Sequence, residues 1–224
     1  MNVVRLFTVA TVLQASAAVA AASSGSLAHR DSDYDYDSPI PGSYSLPVVK
    51  EAADGALLDS NGKSLKLRDL TRGRVTILSF IYTRCGDARA CPYAANILDQ
   101  LHSVASEDAE LARKMRLVSM SFDPEYDTPK RLAAYADVVR SSAKGCEWRF
   151  VTAKTPAELA SILACYGQTV DQKRDTTDPL GPLYHILRVF LIDRDGRIRN
   201  IYSSGTLDPR LVLADVRTLL LEER

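Results

Sequence analysis

The stretch Val75-Thr76-Ile77-Leu78-Ser79-Phe80-Ile81-Tyr82 decides the fold. It is a continuous apolar run rich in β-branched residues, the pattern of a strand buried on both faces. Downstream, Pro92 opens a helix through Ile97, Leu98, Leu101 and Val104, and Leu117 to Phe122 reads as the next strand. Thr128-Pro129 makes an N-cap and first-turn pair ahead of Leu132, Tyr135, Ala136 and Val139 at helical spacing. Trp148 to Val151 is a short strand, and Thr155-Pro156 starts a helix that ends near Gly167. Arg188 to Asp193 is a strand that Asp195-Gly196 turns into an antiparallel partner, Ile198 to Tyr202, before Asp208-Pro209 caps a last helix. Upstream, Asp54-Gly55 and Asn61-Gly62 are hairpin-type turn signals around short apolar stretches. Strand–helix alternation closed by a hairpin and a helix predicts an α/β domain with a thioredoxin-like fold. Its mixed central sheet is flanked by helices and spans residues 48–224.

Outward from that domain, composition narrows the function. The chain has 224 residues, 46% hydrophobic and 25% charged, with 28 Lys plus Arg against 28 Asp plus Glu. That balance leaves no basic excess for nucleic acid and no lysine block for an anionic membrane. Residues 1–22 read as a secretory signal: Arg5, then an apolar run from Leu6 to Val19, then Ala18-Val19-Ala20 as a cleavage site. The competing reading is an uncleaved anchor, but Gln14 and Ser16 interrupt the run and it falls short of the ~20 residues that span a bilayer. No cysteine stands near the cleavage point for a lipid anchor. An exported, periplasmic location is expected, anchored only if the signal is retained. Residues 23–47, with Asp31 to Asp37 interleaving Tyr34 and Tyr36 and with Pro39, Pro41 and Pro47, read as a flexible, solvated tether.

Cys85 and Cys91 follow the buried strand, and ligands of α/β sheets gather at the carboxyl ends of strands. Cys91 precedes Pro92, so it stands at a helix N-terminus, where the dipole and free N–H groups lower a thiol's pKa. Six positions apart on a continuous helix, the sulfurs would diverge by about 120° and about 9 Å. They converge only if Gly86 to Ala90 is a loop. The competing reading is a fixed disulfide that staples the loop. Of the three histidines, His29 falls in the tether and His102 is expected half exposed on the helix after Cys91. His185 sits on a Gly181-Pro182-Leu183-Tyr184 loop just before the Arg188 strand. In a thioredoxin fold that loop lies against the cysteine loop. Two thiolates and one imidazole suit copper, with zinc as the competing metal. Cys146 and Cys165 are either a structural disulfide or two buried thiols, since sequence cannot set connectivity.

Three segments together resemble the Sco/SenC copper chaperones. These are Phe80-Ile81-Tyr82-Thr83-Arg84-Cys85 with Cys91-Pro92, Ser121-Phe122-Asp123-Pro124-Glu125-Tyr126-Asp127-Thr128-Pro129, and Tyr184-His185 with Phe190 to Gly196. The resemblance covers about residues 45–222. It implies Cys85, Cys91 and His185 as copper ligands, Asp87 at a position where the family often has aspartate, and copper as the cofactor. It further implies delivery of copper to the dinuclear copper site of cytochrome c oxidase (subunit II, or another exported copper protein), or upkeep of that site's thiols with a thiol–disulfide reductant. The family has three residues between its cysteines; this chain has five.

Asp123 and Glu125 are read as shaping a strand-to-helix turn rather than as an acid–base pair. Two enzymes compete with the binding protein. A thiol–disulfide oxidoreductase would cycle Cys85 and Cys91 as its redox pair, yet thioredoxins use a two-residue spacer and a proline directly before the later strand, where Ile186 and Leu187 stand here. A thiol peroxidase would need proline and serine or threonine at 78 and 82, and Leu78 and Tyr82 occupy them; Arg84 and Ala88 fail the same test for Cys91.

Overall fold

A computed structural model describes residues 36–222; the expected signal (1–22), His29 and the tether before Tyr36 lie outside the described residues. In chain order the elements are β1 (Lys50–Glu51), β2 (Ala56–Asp59), β3 (Ser64–Lys66), α1 (Leu67–Thr71), β4 (Val75–Ile81), α2 (Cys91–Glu107), α3 (Ala109–Lys114), β5 (Met115–Ser121), α4 (Pro129–Val139), β6 (Glu147–Thr152), α5 (Pro156–Tyr166), β7 (Val170–Gln172), β8 (Leu183–His185), β9 (Arg188–Ile192), β10 (Arg197–Ser203) and α6 (Pro209–Glu222). Eight strands form one mixed sheet in the order β1-β10-β9-β4-β5-β6-β2-β3, and β7 and β8 form a separate ribbon.

The apolar run is the middle of that sheet, and every residue of β4 and of its neighbour β5 is buried. Strand β4 pairs in parallel with β5, Val75 opposite Met115, and antiparallel with β9, Thr76 opposite Ile192. This pairing places the site. β4 and β5 end at the same edge of the sheet, and β9, running the other way, begins there. Cys85 just after β4, Phe122 just after β5 and His185 just before β9 therefore share one end of the molecule. Helix α5 is held to the sheet by Tyr166, whose ring meets Phe80 edge-on at 5.2 Å and Phe190 at 4.8 Å.

Local chemistry explains the boundaries. Thr155 caps α5 by accepting the Glu158 N–H, and Gly167, at φ +62°, ends it in the left-handed conformation. Thr128 occupies the N-cap of α4 without a side-chain cap bond, so there Pro129 alone carries the start signal. Asn61-Gly62 does turn the β2–β3 hairpin, whereas Asp54-Gly55 does not make a hairpin. The Asp54 carboxylate accepts the Gly55 and Arg68 N–H groups, and the Gly55 carbonyl takes the Leu67 N–H, so the pair docks the start of α1. Among the described residues no helix is long and apolar enough to cross a membrane.

The segment from Tyr36 to Pro47 corrects the solvated-tether expectation for its own length. It runs along α6 as a strap: Tyr36 donates to Asp208, Ser38 to the Arg210 carbonyl, and the Gly42 N–H to Thr218. Leu46 is buried, and its carbonyl accepts from the buried Arg199 guanidinium. The strap's firmest point is Asp215, a buried carboxylate that accepts hydrogen bonds from Tyr44 (2.6 Å), Tyr202 (2.6 Å) and Asn200 (2.8 Å). Burial, and then the hydrogen bond to Asp215, push the Tyr44 phenol up to about 12. Ionising Tyr44 would set two negative charges against each other, so the folded state keeps its proton after the unfolded chain, at about 10, has lost it. Stability from Tyr44 is therefore complete below pH 10 and declines as the pH rises from 10 towards 12. Tyr44→Phe is expected to cost about 1.5–3 kcal/mol at neutral pH, the range for a hydrogen bond to a charged group. The variant should also lose part of the alkaline decline, both read by urea unfolding at pH 7 to 11.

Candidate metal centre

After β4 the chain turns at Tyr82 to Cys85, closed by the Cys85 N–H donating to the Tyr82 carbonyl at 3.2 Å. Residues 86–90 are a loop, as convergence of the sulfurs requires, and Cys91 is the first residue of α2 with Pro92 the second. A second loop, 173–182, lies on the first. The Gly86 N–H donates to the Leu180 carbonyl at 3.2 Å. Gly181 has φ +97°, and a Cβ there would run into the Tyr82 hydroxyl and the Arg84 carbonyl. That second loop closes the β7–β8 ribbon, in which Val170 pairs with His185. His185 is thus the last residue of a strand and not part of a free loop as expected. The ribbon fixes its backbone.

The imidazole is held between two rings. Tyr82 meets it edge-on at 5.2 Å, and Phe122 lies tilted against it at 5.3 Å. Its Nε2 stands 3.8 Å from the Cys85 sulfur and 3.6 Å from the Cys91 sulfur, and the three ligating atoms all lie within 4.8 Å of one another. Among the described residues this is the one cluster of three or more His, Cys, Asp or Glu side chains able to hold a metal ion. The spacing fits. With metal–sulfur bonds of about 2.3 Å and metal–nitrogen bonds of about 2.0 Å at trigonal angles, sulfur and nitrogen would stand about 3.7 Å apart. A thiolate-rich, three-ligand set of this kind suits a soft ion.

The N–H that opens α2 lowers both thiols, but at Cys91 the neighbouring thiol and burial outweigh it. The Cys85 thiol is pulled down to about 4, first by a hydrogen bond from the Cys91 thiol, then by His185 and by the Cys91 backbone N–H that opens α2, against the cost of its partial burial. Cys91 is 1% exposed, and donating to Cys85, burial and the charge beside it all push its thiol up. Two thiolates side by side repel, so the metal-free pair carries one charge, and the more solvated sulfur takes it.

The remaining candidates lie apart from these three atoms. Asp87 accepts the Arg89 N–H at 2.9 Å and shapes the spacer turn. Asp123 pairs with Arg84 at 2.6 Å, and Glu125 is exposed. His102 is buried, not half exposed: Nε2 bonds the Ser142 carbonyl at 3.3 Å and Nδ1 is 3.9 Å from the Cys146 sulfur. Burial lowers the His102 pKa and raises that of Cys146 to about 12, so this pair packs as neutral core. Cys146 and Cys165 form no disulfide; Cys146 faces His102, while Cys165 is exposed on α5. Three residues stand in the quoted motifs but carry no site role in the sequence reading. Tyr82 and Phe122 end apolar strands and looked like core. Asp127 is wholly buried and accepts from the Thr83 N–H at 3.0 Å, the Thr83 hydroxyl and the Ser121 hydroxyl at 2.6 Å.

Known proteins share this fold and, in part, this sequence. A SCO1 protein homolog of Bacillus subtilis (strain 168) is 25% identical over 173 residues, covering 77% of this chain and 84% of the relative. The structure of Bradyrhizobium japonicum ScoI with copper bound is 24% identical with a TM-score of 0.58, covering 73% of this chain and 97% of that one. BsSco, a member of the Sco family of cytochrome c oxidase assembly proteins in which a disulfide switch has been identified, is 21% identical with a TM-score of 0.60, covering 79% of this chain and 98% of that one. The SCO1/SenC family model matches residues 50–221, three quarters of the sequence, and the chain belongs to that family.

Proposed function

We propose that this protein is an exported copper-binding protein that holds one copper ion with Cys85, Cys91 and His185. In this reading it hands the ion to the dinuclear copper site of a respiratory cytochrome c oxidase, or keeps that site's thiols reduced. The observation that carries the reading is the convergence of two sulfurs and one imidazole nitrogen at 3.6 and 3.8 Å beside a helix N-terminus. Copper bound to B. japonicum ScoI and the cytochrome c oxidase role of the family of BsSco support it. Copper is cargo here. The chain's own part is to hold one thiolate and one thiol ready, to fix the imidazole with Tyr82 and Phe122, and to keep Cys91 out of solvent.

A second reading has its own support. One ionised and one protonated thiol in contact is the state from which a disulfide forms, and BsSco carries a disulfide switch. Cys85 and Cys91 would then cycle as the redox pair of an oxidoreductase. Unlike the thioredoxins, this chain has no cis peptide bond among the described residues.

Three outcomes separate the readings. Reduced protein should take up one Cu(I) per chain by chelator competition, and protein oxidised to the Cys85–Cys91 disulfide should take up none there, since a disulfide offers no thiolate. Equal uptake by both forms would mean the ligands are wrong. His185→Ala should leave the pair's reduction potential within a few tens of millivolts yet abolish the thiolate-to-Cu(II) absorption, and weaken copper retention by about 10–100-fold or more. A variant that keeps both the spectrum and delivery to a client would reduce His185 to a packing residue. Finally, removing Ala88 and Arg89, both exposed, restores the family spacing without touching Gly86, which packs on residues 179–180. Because loop closure depends weakly on length, this deletion should preserve folding and keep or raise Cu(I) affinity.

A further inference from the structure

We infer that Asp127 is the positioning residue of the metal centre, one carboxylate that sets both the cysteine loop and the aromatic seat of His185. The inference rests on the ligand assignment above and adds a group that touches none of the three ligands.

Asp127 sits two residues before α4, wholly buried, and its two oxygens take three hydrogen bonds, two from the turn after β4 and one from the last residue of β5. Oδ2 accepts the Thr83 N–H and the Ser121 hydroxyl, and Oδ1 accepts the Thr83 hydroxyl. Its own N–H returns to the Asp123 carbonyl at 2.7 Å, and the Ser121 hydroxyl also accepts the Asp123 N–H at 3.0 Å. The carboxylate thus binds the turn after β4 to the turn after β5.

What those turns carry matters more than the bonds themselves. Thr83 lies between Tyr82, whose ring supports His185 and whose hydroxyl donates to the Leu180 carbonyl, and Arg84-Cys85. With both the N–H and the hydroxyl of Thr83 held, the direction in which the chain leaves for Cys85 is set. Ser121 precedes Phe122, the second ring against His185, and the two rings meet each other at 5.2 Å. One side chain therefore aligns a sulfur through Thr83 and the imidazole through its two supports. Burying a carboxylate is costly unless its oxygens are hydrogen-bonded. Here three donors replace water: two on Thr83, in the turn that leads to Cys85, and one on Ser121, the residue before Phe122.

The substitutions discriminate alignment from simple stability. Asp127→Asn can keep all three contacts: its carbonyl takes the place of Oδ2, and its amide donates to a Thr83 hydroxyl turned to accept. Asp127→Ala removes every contact. Thr83→Val keeps the amide bond and loses the hydroxyl bond. Tyr44→Phe weakens the protein through the strap, away from the cysteines. Two readouts are taken on the full chain: Cu(I) affinity by competition with a chromophoric chelator, and, on metal-free protein, the equilibrium of the two thiols with oxidised glutathione, which yields the Cys85–Cys91 disulfide and two reduced glutathiones. Asp127→Ala should bind Cu(I) about 10–100-fold more weakly, the range for loss of groups that orient metal ligands. Its glutathione equilibrium constant should fall about tenfold, as a looser loop lowers the effective concentration of one thiol at the other. Asp127→Asn should stay within about threefold of the parent in both, Tyr44→Phe should match the parent, and Thr83→Val should fall between parent and Asp127→Ala. If Asp127→Ala does not fold, Thr83→Val decides. Parent values for both Asp127→Ala and Thr83→Val, or losses in Tyr44→Phe as large as in Asp127→Ala, would overturn the inference. A parent protein that binds no Cu(I) would sink the copper reading alone, because the glutathione equilibrium still reads the alignment of the thiols.

Discussion

Everything in this molecule hangs on the burial of β4 between a parallel and an antiparallel neighbour. A strand buried on both faces cannot slip in register without exposing its apolar side chains or its backbone groups, so its end is fixed in space. The chain must surface at that end, and it does so past the buried Tyr82, at Cys85. The same edge receives β5 and launches β9, so pairing alone delivers three loops to one place. Chemistry is then assembled from residues up to 100 positions apart in sequence, as Cys85 and His185 are.

Within that frame the site is a compromise between solvation and contact. Cys91 is buried and protonated; Cys85 is partly solvated and receives the charge, with the first N–H of α2 and the His185 ring beside it. In the proposed copper reading, a cation binding both sulfurs would displace the proton that burial and the Cys85 charge keep on Cys91. Such binding would be pH-linked, because metal uptake and proton release would be coupled at the second sulfur. The aromatic walls keep the imidazole from turning away, which removes a rotamer-ordering cost from binding.

Much of the fold was legible in the sequence, and the reasons are local. β4 announces itself because double burial leaves no polar alternation, and α5 because Thr155, Pro156 and Gly167 each do one recognisable thing at its ends. The cysteines were legible from their place after a strand and before a proline. The β7–β8 ribbon was not: each strand is three residues long, largely exposed, and has no period to detect. Which thiol ionises was hidden as well, since it turns on a burial difference between two cysteines that sequence treats alike. Asp127 was overlooked in favour of Asp123 and Glu125 because only the packing reveals which carboxylate faces inward. The strap failed for a related reason. Pro39, Pro41 and Pro47 signal irregular chain correctly, but tyrosine hydroxyls and carbonyls that hold irregular chain to a helix leave no periodic trace.

That strap also has a mechanical character. From Tyr36 to Gly42 its contacts climb α6, Tyr36 at Asp208, Ser38 at Arg210 and Gly42 at Thr218, before Tyr44 turns back to Asp215. A pull on the preceding chain along the helix axis loads these bonds together, in shear, with the Tyr44–Asp215 bond and the buried Leu46 behind them. A pull away from the helix loads them one at a time, starting at Tyr36, and peels them like a zipper. Bonds loaded together share a force that bonds loaded singly must each bear in turn, so a strap of this kind is harder to shear along its helix than to peel from it.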